Sequence, residues 1–105
     1  MRIKLHSGAK QDFDDAKRHY ASIRPDLAAR FIDEVDAGFE LIKQDPQRWR
    51  IVSGSIRRVL TKVFPFALLY IVEGETVHVV AVAHSSRMPG YWAERVETSR
   101  SHQRL

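Results

Sequence analysis

Residues 64–95, FPFALLYIVEGETVHVVAVAHSSRMPGYWAER, contain two apolar runs that meet at a short link with glycine at its centre, Gly74. The runs 66–72 and 76–84 are rich in Val, Leu, Ile and aromatic residues, which favour β-strands. A tight glycine-containing link between such runs predicts an antiparallel hairpin. The second strand leads directly into a polar and aromatic cluster formed by His84, Ser85, Ser86, Arg87, Tyr91 and Trp92. The hairpin therefore places titratable and cationic groups at one edge of a sheet.

The segments before this hairpin predict one more strand of the same meander, a pair of helices and a leading strand. Residues 56–63 form a further β-type run, and the alternation in residues 2–6 suits a short strand. Apolar residues recur every three or four positions over 9–23 and again over 27–42, as in amphipathic helices. Pro25 ends the first helix and allows the second to begin at once, and Asp45-Pro46 ends the second. The two helices should form a hairpin.

The order of elements is β-α-α-β-β-β, which predicts an α+β two-layer sandwich. The antiparallel C-terminal meander packs on the α-helical hairpin, and the opposite sheet face stays partly open for a ligand or partner. Residues 47–55 are expected to form a loop, and Pro89 to start a short C-terminal helical turn. We expect a single domain over residues 1–97 and a flexible polar tail over 98–105.

The composition of the 105 residues, 44% hydrophobic and 29% charged, is that of an ordinary globular domain. No apolar run approaches the roughly 20 residues that a membrane span needs, so no membrane association is expected. The chain has no cysteine, which fits a reducing compartment and predicts a cytoplasmic protein. The five histidines show no ligand spacing and the glycines are scattered, so neither a metal nor a cofactor is expected.

The net charge of +4 is distributed unevenly along the chain. Acidic residues are dense between positions 12 and 45, whereas positions 48–62 contain five basic residues and no acidic one. Those basic residues are Arg48, Arg50, Arg57, Arg58 and Lys62. Because the positive charge is concentrated in one segment, an acidic partner is favoured, either a nucleic acid or a protein segment.

Three motifs in this order resemble the RelE/ParE superfamily of bacterial toxins over roughly residues 1–95. The first is the pair of acid-rich helices between a leading strand and a three-stranded meander. The second is the basic strand and FPF turn at residues 57–70, RRVLTKVFPFALLY. The third is VAVAHSSRMPGYW at residues 80–92, similar to the family pattern H-x-x-R-x-P-x-x-W. The resemblance is thus to toxins of type II toxin–antitoxin systems.

The resemblance implies a growth inhibitor that a cognate antitoxin wraps and neutralises, as a toxin–antitoxin hetero-oligomer. ParE-like members inhibit DNA gyrase and act in plasmid stabilisation, and we favour this branch. In the alternative, RelE-like members cleave messenger RNA on the ribosome without a metal. A second alternative is a non-toxic binding or adaptor domain. An acidic, partly disordered antitoxin segment is expected to cover the face formed by Arg58, Lys62 and Arg87.

Metal-free RNA cleavage needs groups that transfer protons and cations that hold phosphate. His84, Arg87 and Tyr91 are the catalytic candidates of an RNase, and Arg58 and Lys62 would share one face of a regular strand over 56–63. By the same alternation, His78 and His84 would share a face.

A binding surface for a target or nucleic acid would use Arg57, Arg58, Lys62, Arg87 and Trp92. The alternative to these functional roles is a purely structural one. His84 would cap its strand with a hydrogen bond, and Tyr91 and Trp92 would be packing residues. The RNase set is incomplete, whereas a ParE-like inhibitor needs no catalytic set.

Overall fold

The computed structural model describes residues 2–86 and 90–104, with side chains up to Ser99. Arg87 and Pro89, which the sequence analysis singled out, lie outside the described residues. The elements along the chain are β1 (Arg2–Leu5), α1 (Ser7–Ile23), α2 (Pro25–Gln44), β2 (Ile51–Ser53), β3 (Ile56–Leu60), β4 (Phe66–Glu73), β5 (Thr76–His84) and α3 (Ala93–Arg104). In the described part of the chain, no helix is long and apolar enough to cross a membrane.

The strands form one mixed sheet in the order β1-β5-β4-β3-β2. The meander of β3, β4 and β5 is antiparallel, while β1 pairs in parallel with β5. A parallel pair needs a long crossover connection, and the first two helices belong to that connection. The predicted α+β class, with a helical hairpin against an antiparallel meander, is confirmed.

The helical hairpin turns on a single residue, Arg24, whose backbone is extended (φ −158°, ψ 138°). Proline disfavours helical geometry at the residue before it, and Pro25 itself occupies the first turn of α2. Phe31, Val35 and Ile42 of α2 are completely buried against the sheet. At Gly38 a Cβ would lie 2.5 Å from Leu68 Cδ1, so the absence of a side chain lets α2 approach β4 closely.

The opposite face of the sheet, called the outer face below, is also apolar and is partly covered. Ile56, Ile71, Val80 and Ala81 are buried there beneath Val96 of α3. The partly open face that the sequence predicted is therefore occupied in part by the chain's own C-terminal helix. This helix is longer than the predicted short turn and runs through most of the residues predicted as a tail, whose flexibility stays a prediction.

Two parts of the sheet differ from the prediction by more than one residue. Ile51–Ser53 forms an edge strand where a loop was expected, because Ile51 pairs with Arg57 across a turn at Gly54. The strand predicted over 56–63 ends at Leu60. After it, the Thr61 hydroxyl donates to the Phe64 carbonyl and accepts from the Phe66 amide at 3.2 Å, which folds residues 61–65 into a turn.

The prediction that His78 and His84 share a face is wrong. Leu69 pairs with Ala81 and the next residue, Tyr70, pairs with Val79, so Val80 is an extra residue in β5. Such a bulge reverses the alternation of side chains beyond it. Accordingly, His84 lies beside Phe66 on the helix-facing side, while His78 lies on the outer face.

Candidate functional site

A buried polar cluster joins the two ends of the domain at the point where β1 stops. Asp12 of α1 is only 9% exposed, and its Oδ2 accepts from the Val82 amide at 3.1 Å, the Tyr91 hydroxyl at 3.3 Å and Arg95 Nη1 at 2.8 Å. Arg95 also donates to the Val80 carbonyl at 3.1 Å. Beyond Val79, β5 has no β1 partner, so these two side chains satisfy backbone groups that would otherwise stay unpaired.

His84 lies at the end of β5 and makes local hydrogen bonds. Its Nδ1 accepts from the Ser86 amide at 3.0 Å and lies 2.7 Å from Ser86 Oγ, while its ring meets Phe66 edge-on. This is the capping role that was the structural alternative for His84. The ring also borders a groove of about 300 Å³ beside α1, which Asp12 and Tyr20 line as well. His84 is thus accessible from a groove but engaged by its own turn.

Tyr91 and Trp92 pack against the outer-face core. The Tyr91 hydroxyl donates to Asp12, and the Arg95 guanidinium lies 4.9 Å from the centre of the Tyr91 ring. Through these contacts Tyr91 helps to hold α3 against α1. Arg87, the third catalytic candidate, lies outside the described residues, so its place near His84 and Tyr91 stays a prediction.

Arg57 is engaged by the loop that precedes β2. Its two guanidinium nitrogens donate to the Trp49 carbonyl at 2.7 Å and to Gln47 Oε1 at 2.9 Å. On the same side of the sheet, burial raises the pKa of Tyr70 to about 12, and the Tyr70 hydroxyl donates to the Pro46 carbonyl at 2.7 Å. Arg57 and Tyr70 are directly paired across β3 and β4, and together they fix residues 46–49 on the sheet.

Arg58, Arg50 and Lys62 form what we call the basic edge. Arg58 is on the outer face with Ile56 and lies opposite Arg50, since the Arg58 amide donates to the Arg50 carbonyl at 3.0 Å. Lys62 follows β3 in the turn, so the predicted alignment of Arg58 and Lys62 along one regular strand is wrong. Among the described side chains, none forms an ion pair with these three.

The turn that carries Lys62 is held in place by α2. The Glu34 carboxylate accepts from the Val63 amide at 3.0 and 3.1 Å and from the Phe64 amide at 3.2 Å. Two apolar residues beside Lys62 are largely exposed, Leu60 at 60% and Val63 at 75%. The turn thus presents a cation and two exposed apolar side chains on a backbone that α2 holds in place.

Most of the candidate residues that the structure describes are engaged by the chain's own atoms. His84 and Tyr91, the candidates for proton transfer, hold a turn and a helix in place. Arg57 is directed at backbone and amide oxygens, which leaves Arg58 and Lys62 as the cations free of such bonds among the candidates that the structure describes. Among the described residues, no group of three or more His, Asp or Glu side chains is placed to hold a metal ion.

Asp12, Glu34 and Arg95 are the important residues that the sequence analysis did not single out. Each connects positions far apart in the chain, by 83 residues for Asp12 and Arg95. One signal was present in the sequence: the polar residue Asp12 comes directly before Phe13, which belongs to the apolar stripe of α1. A carboxylate beside a core position often has a buried partner, although its identity depends on the tertiary fold.

Comparison with known proteins identifies relatives over most of the chain. The family model described as the ParE toxin of the type II toxin-antitoxin system, parDE, matches residues 3–89. Two curated relatives, Toxin ParE2 from Mycobacterium tuberculosis strains CDC 1551 / Oshkosh and ATCC 25618 / H37Rv, are each 27% identical over 89 residues. The matched region is 84% of this chain and 85% of each relative.

A solved structure described as the chromosomal ParDE TA system from P. aeruginosa has a similar fold, with a TM-score of 0.71. The match covers 80% of this chain and 95% of that chain, at 17% sequence identity. At this level of identity the likeness concerns the fold alone.

Proposed function

This chain belongs to the ParE toxin family of type II toxin–antitoxin systems, and we propose that it arrests growth by inhibiting DNA gyrase until a cognate antitoxin neutralises it. The observation that carries the proposal is the family match over residues 3–89, which includes the helical hairpin and all of the sheet except Arg2. A protein of this kind acts by binding its target.

The geometry of the candidate residues supports binding over RNA cleavage. General acid–base catalysis needs a donor and an acceptor that both face the reacting group. Here the Tyr91 hydroxyl is directed at Asp12, and His84 Nδ1 accepts from Ser86. Each group serves the packing of its own segment, so a ribosome-dependent RNase is the weaker hypothesis.

The basic edge is the surface that we assign to an acidic partner. Arg50 and Arg58 are like charges on neighbouring segments, since the Arg58 amide donates to the Arg50 carbonyl at 3.0 Å, and like charges that lie close together repel each other. An acidic antitoxin segment would relieve this repulsion and could cover the exposed Leu60 and Val63 at the same time. Arg87 and Trp92 belong to the same predicted surface, and the assembly would be a toxin–antitoxin hetero-oligomer in the cytoplasm.

The proposed function is tested by inducing the chain in bacterial cells and scoring viability, plasmid supercoiling and messenger RNA cleavage separately. We expect loss of colony formation, a supercoiling defect and intact messenger RNA. Purified protein should inhibit DNA supercoiling by purified gyrase in the same way. Cleaved messenger RNA with unaffected gyrase would instead identify the RNase branch, and absence of any toxicity would favour the adaptor.

The role of the basic edge is tested with matched charge variants. Arg58→Gln and Lys62→Gln each remove one positive charge from it, whereas Arg30→Gln removes one from an exposed position of α2. We expect the first two to weaken binding of the purified antitoxin by roughly three- to tenfold each, as for charge-assisted contacts. Equal affinities for all three variants would argue against the basic edge as the antitoxin surface.

A further inference from the structure

A cavity of about 310 Å³ separates the start of α1 from the C-terminal helix. Its floor is the outer face at β1 and β5, where Lys4 and His78 are paired neighbours. The cavity is lined by Lys4, Leu5, His6, Ser7, His78, Thr98 and Ser99. Among the residues that the structure describes, this lining contains three basic side chains, three hydroxyls and no carboxylate. The volume is at the lower end of that of small-molecule sites.

The N-terminus of α1 opens at this cavity. The helix begins at Ser7, extends over 17 residues and has no acidic residue in its first turn. His6 caps it, because its Nδ1 accepts from the Gly8 amide at 2.9 Å. Amides in the first turn of a helix have no carbonyl partners within the helix, and the helix dipole places positive potential there. Both features favour an anion.

Ser99 supplies an observation that is independent of the helix terminus. This residue is only 6% exposed, and its hydroxyl has no hydrogen-bond partner among the described residues. No side-chain oxygen or nitrogen that is fully buried in the described region lacks a partner, so the Ser99 hydroxyl keeps some access to solvent, and Ser99 lines the cavity. A largely buried hydroxyl at the wall of a small cavity is suited to a polar ligand.

We propose that this cavity binds a small phosphate-bearing ligand, held by Lys4, His6, Ser7 and Ser99 at the N-terminus of α1. Since His6 Nδ1 accepts from Gly8, the neutral ring carries its proton on Nε2 and can donate from there. Lys4 is exposed, forms no ion pair with the described side chains, and adds positive charge at the entrance. Hydroxyls, an ammonium and a helix terminus together match the several acceptor oxygens of a phosphate.

The electrostatic environment supports an anion at this position. Burial, together with the positive charge of Arg95, lowers the pKa of His6, and Asp12 opposes this effect. Arg95 passes so close to Gly8 that a Cβ there would collide with its guanidinium. Positive potential therefore reaches the cavity from Lys4, Arg95 and the helix, and a bound phosphate would stabilise the protonated form of His6.

The proposal is tested by NMR titration of the full chain with inorganic phosphate at constant ionic strength. The ring signals of His6 and His78 and the Ser99 amide should shift saturably, with the pKa of His6 raised in the complex. Lys4→Gln should weaken phosphate binding by roughly tenfold and Ser99→Ala by roughly threefold. Lys10→Gln is the matched control, because Lys10 is on the same helix outside the cavity, and it should keep the original affinity.

A second arm of the experiment uses a nucleoside monophosphate. Binding that is tighter than that of inorganic phosphate would identify a phosphomonoester as the ligand class, and equal binding would identify the free anion. Lys4 is exposed, so the Lys4→Gln variant should fold, and its thermal unfolding provides the check. Absence of saturable shifts, or equal affinities in Lys4→Gln, Ser99→Ala and Lys10→Gln, would overturn the proposal.

Discussion

Arg95 of α3 places its Nη1 2.8 Å from Oδ2 of Asp12, a residue 83 positions earlier in the chain. The side chains are 18% and 7% exposed, respectively, so this ion pair is largely removed from water. The Arg95 guanidinium also contacts the Tyr91 ring and lies close to Gly8. The pair fixes the C-terminal helix on α1 and on the unpaired end of β5.

Asp12→Asn is expected to destabilise the fold by roughly 2–4 kcal/mol. The amide oxygen of asparagine can still accept from Val82, but Arg95 keeps a buried charge without its partner. The measurement is urea unfolding at neutral pH. Asp14→Asn on the same helix breaks exposed pairs with Lys10 and Lys17 and should cost about 1 kcal/mol or less. Equal losses for both variants would contradict the anchoring role of Asp12.

Gly8→Ala tests how closely Arg95 packs over the first turn of α1. In a helix this change usually stabilises by about 0.5–1 kcal/mol. Here the new methyl group would displace the guanidinium that pairs with Asp12, so we expect a net loss of roughly 1–3 kcal/mol. In an Arg95→Ala background the obstacle is gone, and the same change should be neutral or stabilising. A double-mutant cycle by urea unfolding measures how the effect of Gly8→Ala differs between the two backgrounds. Additive effects of the two substitutions would contradict close packing of Arg95 over Gly8.

The part of the fold that follows local rules could be predicted from the sequence. Pro25 and the Asp45-Pro46 step mark the helix ends correctly, since proline acts on its immediate neighbours. The β5 bulge at Val80 could not be predicted, because it arises from pairing with β4 and leaves no local signal. This bulge places His78 and His84 on opposite faces of the sheet. Likewise, the partners of Asp12 and Glu34 are set by tertiary packing, beyond the reach of periodicity.

Glu34→Gln is expected to loosen the turn that carries Lys62. The carboxylate accepts from the Val63 and Phe64 amides, and a neutral amide can replace these hydrogen bonds only in part. We expect a loss of about 1–2 kcal/mol and roughly tenfold faster hydrogen exchange at the two amides. Glu40→Gln, at an exposed position of the same helix, is the control. Unchanged exchange at Val63 and Phe64 would show that the turn holds without Glu34.

Tyr70 makes the stability of the fold sensitive to alkaline pH. Burial raises its pKa to about 12 in the folded chain, compared with about 10 in the unfolded chain. The unfolded chain therefore ionises first, and stability present below pH 10 is lost as the pH rises toward 12, by about 1.4 kcal/mol per unit. Urea unfolding at pH 9 and 11 should show a smaller decline in Tyr70→Phe than in the parent chain. Identical declines in the two chains would show that a group other than Tyr70 causes the alkaline loss of stability.

His6 should make stability decrease on the acidic side. Its pKa is lowered in the folded state by burial and by Arg95, with Asp12 acting in the opposite direction. The unfolded chain therefore takes up a proton first as the pH falls below about 6.5, and stability declines from there toward the lower pKa of the folded state. Protonation at Nδ1 would also break the cap on the Gly8 amide.

His6→Asn separates this titration from the capping function, because asparagine is a strong N-cap that does not titrate. Urea unfolding at pH 7.5 and 5.5, in buffers free of phosphate, should show a smaller acidic loss in this variant than in the parent chain. The matched control is His19→Asn, which removes an exposed histidine from the same helix and should leave the loss unchanged. If the acidic loss persisted in His6→Asn and vanished in His19→Asn, the assignment to His6 would be wrong. A smaller loss confined to His6→Asn would establish that the start of α1, where β1, α1 and Arg95 meet, responds to protonation.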